Sequence, residues 1–435
     1  MEAGEDAATR DRHLAWYLSS AERWRGATAA RPAPDGRAWR RWLRTERDNL
    51  RAALDWSLER DPEAGLRLLL ALANYVLPWS AAEDVRWLDR LLARAPRATA
   101  LRGQALLRAA DMLRHQGRLA EARGRLEEGE TVVRVVGGAP DGLGLGRLRL
   151  QQAQLAAAAG DVAGTRARYA EALALARASG DLDLLQGALS MGLLALAWDD
   201  DRSAGRALEE CLALARARHD AVGVAGATIR LGIVARLEGN VERAHDLLRA
   251  GVAAAQAAGS AIHLAVARAA LGDLARQHGD AAGARAQYRA LLAAAGEHDA
   301  DEVGSMAVVS EAVSQRVIVC HIGVLAVHEG AFSRGVRLLG AALPGAQAYL
   351  RVSCPDVHRD CAAALRTART ALGGQAADSA WREGLAMSLE PAVAQALGVV
   401  EGTACPEGSD RPAPPGRSRA PEQRGPGASA ERQPV

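Results

Sequence analysis

Between Ala265 and Leu292 the apolar positions fall three and four apart along two stretches separated by one short polar turn. Leu271 and Gly272 sit within the first stretch, Gly279 and Asp280 make the turn, and Ala284, Tyr288 and Leu291 share one face of the second. That pattern predicts a helix, a tight turn and a second helix. The same skeleton returns with Leu231, Gly232, Gly239, Asn240, Ala244 and Leu248, and again with Met191, Gly192, Ala204 and Leu208. Aligning the small residue of each first helix gives Ala110, Ala153, Gly192, Gly232, Gly272 and Gly323, spaced by 43, 39, 40, 40 and 51 residues. Such a period holds two antiparallel helices and two turns. A small residue is needed where two helix axes approach closely, because bulk inserted there typically costs ~1–3 kcal/mol. Each pair leaves an apolar flank that only the next pair covers, so the pairs are expected to stack into a superhelix with an extended inner surface.

Four parts follow from this pattern. Residues 1–99 hold aromatic-rich helices, with a Pro-containing break from Arg31 to Gly36 between the first helix and a second that starts near Arg37. Residues 100–350 carry six helix pairs. Residues 351–400 read as a closing cap, in which Cys354-Pro355-Asp356 starts a helix and Gly373-Gly374 stops one. Residues 401–435 turn to Pro, Gly, Ser, Arg and Glu with almost nothing to bury, so a disordered tail is expected there.

Composition agrees with an all-α chain. Of 435 residues, 49% are hydrophobic but only 3% aromatic, with a single Phe, and Ala, Leu and Arg are strong helix formers. Stacked repeats override the usual length prior for domain number, since their core grows lengthwise. The net charge is +2, from 54 basic and 52 acidic residues, so no global field points to nucleic acid or membrane. Every basic residue is Arg, which fits GC-rich coding DNA and rules out a phosphate loop ending in Gly-Lys-Ser/Thr and Schiff-base chemistry through lysine. Cys211, Cys320, Cys354, Cys361 and Cys405 are odd in number and contain no Cys-x-x-Cys pair, so neither a disulfide framework nor a zinc site is indicated; Cys211 and Cys320 read as small core residues. The acidic start Met-Glu-Ala-Gly-Glu-Asp is unlike a secretory signal, and no apolar run approaches the ~20 residues of a membrane helix. The expected location is cytoplasmic.

Two flanks carry a family likeness. Trp42-Leu43, Glu46, Asp48-Asn49-Leu50-Arg51-Ala52-Ala53-Leu54 and Trp56, then Gly65-Leu66-Arg67-Leu68 and Arg86-Trp87-Leu88, resemble the helical region that follows the winged helix in large bacterial LuxR-family and AfsR-like ATPase regulators. Arg337-Leu338-Leu339-Gly340-Ala341-Ala342, then Trp381, Gly384 and Met387-Ser388-Leu389-Glu390-Pro391-Ala392-Val393, resemble the end of their tetratricopeptide sensor region. The resemblance spans residues 10 to 397 and covers the sensor alone, without the ATPase or the DNA-binding helix-turn-helix. It implies a tetratricopeptide-like, right-handed α-α superhelix, a solenoid, that recognises a ligand or a protein.

Catalytic chemistry finds little support. Gly142-Leu143-Gly144-Leu145-Gly146 has Arg147 where a dinucleotide fingerprint needs glycine and reads as a loop between repeats. Asp199-Asp200-Asp201 occupies a turn, where one aspartate capping the next helix is favoured over a cation site. None of the ten histidines forms a metal-ligating pair on one helix; His321 and His328, seven apart, lack an obvious third ligand beyond Cys320. No nucleophile elbow or paired carboxylates stand out. No enzyme activity, metal or cofactor is therefore expected.

Two candidate surfaces remain. Arg37, Arg40, Arg41, Arg44, Arg47 and Arg51 recur three or four apart beside Trp39 and Trp42. They read first as a solvated face partly neutralised by Glu46 and Asp48, then as a stripe for docking protein, with direct DNA contact the lesser reading. The second surface is the concave side, where the first helix of each pair is expected to direct the residues flanking its small position. These are Asp111, Arg114, His115, Gln154, Arg236, Asp273, Arg276, Gln277 and His328. Asp111 with Arg114 and Asp273 with Arg276 share one register, readable as i, i+3 salt bridges or as polar recognition of a partner segment or small effector. The oligomeric state is not specified by any of these features.

Overall fold

The computed structural model describes residues 2–25, 42–43, 45–72, 81–136, 144–193, 201–297 and 311–398. Among them are nineteen α-helices and no strand. The first four are α1 (Glu2–Arg25), α2 (Arg47–Arg60), α3 (Pro62–Leu72) and α4 (Ala81–Arg94). Six antiparallel pairs follow: α5 (Ala100–His115) with α6 (Leu119–Val136), α7 (Leu145–Ala159) with α8 (Val162–Ser179), α9 (Leu182–Ser190) with α10 (Asp201–Ala217), α11 (Ala221–Leu237) with α12 (Val241–Ala257), α13 (Ala261–Gln277) with α14 (Ala281–Glu297), and α15 (Glu311–His328) with α16 (Phe332–Ser353). The last three are α17 (Pro355–Leu372), α18 (Gly374–Ala386) and α19 (Leu389–Leu397). The fold is a tetratricopeptide-like stack of helix pairs.

The turns show why the chain folds back at these places. Gly279 ends α13 at φ +81° and Gly239 ends α11 at φ +76°, left-handed conformations that a side chain would strain. The next residue caps the following helix: Asp280 Oδ1 accepts from Gly283 N at 2.8 Å and Asn240 Oδ1 from Arg243 N at 3.1 Å. Asp161 and Asp220 do the same for α8 and α11. A cap of this kind contributes about 1 kcal/mol.

The small residues stand at helix crossings. A Cβ on Gly272 would lie 2.5 Å from Tyr288 Cε1, one on Gly232 2.8 Å from Leu248 Cγ, and one on Gly323 3.0 Å from Leu339 Cγ. Ala110 and Ala153 are buried at the equivalent places. The third pair differs in detail: α9 stops at Ser190 and Gly192 lies in a 3₁₀ turn rather than mid-helix. It still meets Ala207 and Leu208 of the second helix at 3.1 and 3.3 Å from an added Cβ.

One apolar core runs from Leu14 and Tyr17 through Leu50, Leu68 and Leu88 to Leu106, Leu126 and Leu148. It leaves no seam at residue 99, and residues 1–399 form a single unit. At the other end α16 continues to Ser353, past the expected boundary. Val352 packs with Ala153, Ala157 and Ala158 of α7 and Tyr169 of α8, and Arg351 Nη1 donates to Ala158 O at 3.2 Å. The second helix of the sixth pair thus returns to the second pair. Helix α17 then starts at Pro355, as the sequence predicts, and packs on α15 and α16. The tail, 401–435, the break at 31–36 and Asp199-Asp200 lie outside the described residues.

Candidate functional site

Four of the polar residues named on the first helices carry no open surface. Arg114, Arg236, Asp273 and Arg276 are 4, 4, 2 and 7% exposed. Asp111, His115 and Gln154 are half-buried, and only Gln277 and His328 are exposed. The expectation that these residues form a binding surface is corrected for those four, three of which meet charges from other elements: α17 supplies the acids that pair with Arg236 and Arg276, and Asp273 pairs with His321. Arg236 Nη2 donates to Asp356 and Arg276 Nη2 to Asp360, while Arg276 Nη1 sits 2.8 Å from His328 Nε2. Arg236 and Arg276 are 40 residues apart, one repeat, and Asp356 and Asp360 are one helical turn apart. Successive repeats are thus each matched by one acid of α17.

The two i, i+3 pairs differ in strength. Arg114 Nη2 donates to Asp111 Oδ1 at 2.5 Å, and His115 Nδ1 lies 2.8 Å from the Asp111 carbonyl. Arg276 stands 3.7 Å from Asp273, which instead accepts from Tyr288 Oη at 2.5 Å and pairs with His321 Nδ1 at 2.9 Å. Burial by itself would raise the Asp273 carboxyl, yet His321, Arg236 and Arg276 hold it well below the usual carboxylate range. Asp360 goes the other way: burial outweighs Arg276 and raises it. His321 thus has a carboxylate partner after all, contributed by another pair, whereas His328 turns to Arg276. Among the described residues no group of three or more His, Cys, Asp or Glu is placed to hold a metal ion.

Between this network and the first helices remains a cavity of about 410 Å³. Ile229 and Ile233 of α11, Val266 and Ala269 of α13, and Ile318 of α15 give it an apolar wall, and Tyr349 of α16 and Val357 of α17 close it. His115 reaches it from α5, with its ring centroid 6.3 Å from that of Tyr349. Arg230 and His263 enter from one side, side by side over Gly226: a Cβ there would lie 2.7 Å from His263 Nε2 and 2.8 Å from Arg230 Nη1. Neither Arg230 nor His263 was singled out from the sequence. The available signal was their position at the small-residue face of Gly226, six residues before Gly232 in the same helix.

Burial, with Arg230 beside it, pushes the His263 imidazole down to about 4 from 6.5, against a smaller opposing pull from Asp220. Between these values the unfolded chain binds a proton that the folded protein refuses, so stability present above pH 6.5 is lost as the pH falls toward 4. The loss is expected to approach about 2 kcal/mol, after allowance for partial exposure. Urea unfolding of the protein and of His263→Gln across this range checks it: the difference between them should shrink steadily on acidification.

The other sequence features resolve locally. Arg37, Arg40, Arg41 and Arg44 lie outside the described residues; Arg47 is exposed, and Arg51 donates from Nε and Nη2 to Glu83 of α4 at 2.9 and 3.0 Å. Gly144 caps α7, and Gly146 is buried against Leu184. Cys211, Cys320 and Cys361 are buried thiols.

Neither a protein-family model nor a curated protein matches the chain. Several solved structures are similar to it, among them the following three. BtubC from P. vanneervenii shares 20% identity over 60% of this chain and 92% of its own, with a TM-score of 0.35. A signal-transduction ATPase with numerous domains and a tetratricopeptide repeat sensor, from Pyrococcus horikoshii, shares 11% over 78% of this chain and 55% of its own, with a TM-score of 0.42. The P58(IPK) TPR domain shares 15% over 85% of this chain and 100% of its own, with a TM-score of 0.20. This chain therefore spans about half the length of the archaeal ATPase.

Proposed function

We propose that the chain is a non-catalytic repeat scaffold that senses a small effector within its superhelix, as the sensing part of a LuxR-family-like regulator of transcription. One observation carries this reading over recognition of a protein segment: α17 already takes up Arg236 and Arg276, and together with α16 it leaves a partly open space of only about 410 Å³. That volume suits a small molecule; a peptide would first have to displace two buried Arg–Asp pairs. Effector binding would favour one arrangement of the pairs around α17, and the output would be read by a partner domain. The cavity wall offers the test. Native mass spectrometry of the purified chain is expected to show a retained small molecule released on denaturation, and Ala269→Trp, which fills the cavity, is expected to lose it. Retention of polypeptide only, unchanged by Ala269→Trp, would defeat the reading.

A further inference from the structure

The cavity holds a cation with nothing to neutralise it. Arg230 makes no hydrogen bond and no ion pair with any described residue. The groups that act on its guanidinium, after burial, are the Cys211 and Cys354 thiols and the Tyr349 phenol; no carboxylate is among them. Asp273 and Asp356 also line the cavity, but the first is taken up by Tyr288 and His321 and the second by Arg236. Arginine stays protonated in proteins, so the charge cannot be shed as a buried lysine would shed it. His263, pushed down by burial and by Arg230, is neutral near pH 7 and adds a polar nitrogen without a second charge. Its Nδ1 is engaged by Ser260 Oγ at 2.8 Å, which leaves Nε2 on the Gly226 side with Arg230. The buried guanidinia of Arg114, Arg236 and Arg276, by contrast, each meet an aspartate.

We infer that the cavity binds a small amphipathic organic acid, its carboxylate held by the Arg230 fork with His263 beside it and its apolar body lying against Ile229, Ile233, Val266 and Ile318. A planar guanidinium takes a carboxylate through two parallel hydrogen bonds, and a charge-assisted bond is at its strongest away from water. The aliphatic wall rewards an acyl or aryl body, since each buried methylene adds to affinity. Gly226 fits this use: an alanine there would press on both polar groups that face the ligand.

The inference rests on the small-effector reading above, and its test separates the two. Titration calorimetry on the intact chain compares octanoate with octanol, octylamine and acetate. Octanoate is expected to bind at least about tenfold more tightly than octanol, octylamine and acetate to bind weakly or not at all, and Arg230→Met to bring octanoate down to the level of octanol. Arg230→Met should also raise the melting temperature of the ligand-free protein by a few degrees, because it removes a half-buried charge that no carboxylate offsets. A merely structural Arg230 would give the reverse. Octanol binding as tightly as octanoate, or an Arg230→Met protein that melts lower than the parent, overturns the organic-acid assignment. If that happens while Ala269→Trp still abolishes retention of the native small molecule, the small-effector reading stands and only the anionic chemistry falls.

Discussion

Replacing Asp356 by alanine is expected to cost about 3–5 kcal/mol of stability. The Arg236 side chain is fully buried and Asp356 nearly so. Only Nη2 of the guanidinium is bonded; Nε and Nη1 have no hydrogen-bond partner among the described residues. Removing Asp356 therefore strands a cation that cannot lose its proton, in a place water does not reach. Burial would lower the Arg236 pKa, and Asp356, Asp273 and Asp360 raise it above its ordinary value instead, which is the same dependence seen from the other side. The double replacement Arg236→Met with Asp356→Leu should recover most of the loss, because it removes both charges and keeps apolar volume. Urea unfolding of the two single variants and the double variant measures this directly as a coupling energy. A cost below about 1 kcal/mol for Asp356→Ala would mean that α17 is not docked on the inner face, and the cavity would lose its floor.

The repeat itself was legible because its determinants are local. Gly232, Gly272 and Gly323 announce helix crossings, and Gly239-Asn240 and Gly279-Asp280 announce turns, within a window of a few residues. The register of Arg236 and Arg276 was legible for the same reason, since helical periodicity fixes which way a side chain points. Their exposure was not. Asp356 lies 120 residues after Arg236, and Asp360 lies 84 after Arg276. No periodic rule connects them, because the contact depends on how far the stack curves before α16 turns back onto α7. Arg230 was missed by a related route: an arginine on an amphipathic helix ordinarily reads as surface, and its isolation from carboxylates is a property of the assembled interior. Sequence reasoning thus identified the scaffold, while the third dimension decided which polar groups of the first helices are satisfied and which one is left over.

The crossing of α16 and α18 supplies the second large effect. There Gly340 and Gly384 bring two backbones together: a Cβ on Gly384 would lie 2.3 Å from the Arg337 carbonyl oxygen and 2.9 Å from Gly340 Cα, and a Cβ on Gly340 would lie 2.7 Å from the Trp381 carbonyl oxygen. At Gly272 the opposing atom belongs to the Tyr288 ring; here it is main chain, and yielding means moving a helix. Gly384→Ala is accordingly expected to cost about 3 kcal/mol, at the upper end for overpacking, even though alanine favours helix by about 1 kcal/mol. Gly124→Ala in α6 is the control, since it meets nothing within 4 Å and should stabilise by up to about 1 kcal/mol. The opposite signs separate crowding from propensity. Hydrogen exchange then locates the damage: amides of α18 and α19 should lose protection in Gly384→Ala while those of α1 to α4, which do not pack on α16 or α18, keep it. Uniform loss across the chain would show instead that the repeats unfold as one cooperative block, and nearest-neighbour packing would not describe this superhelix.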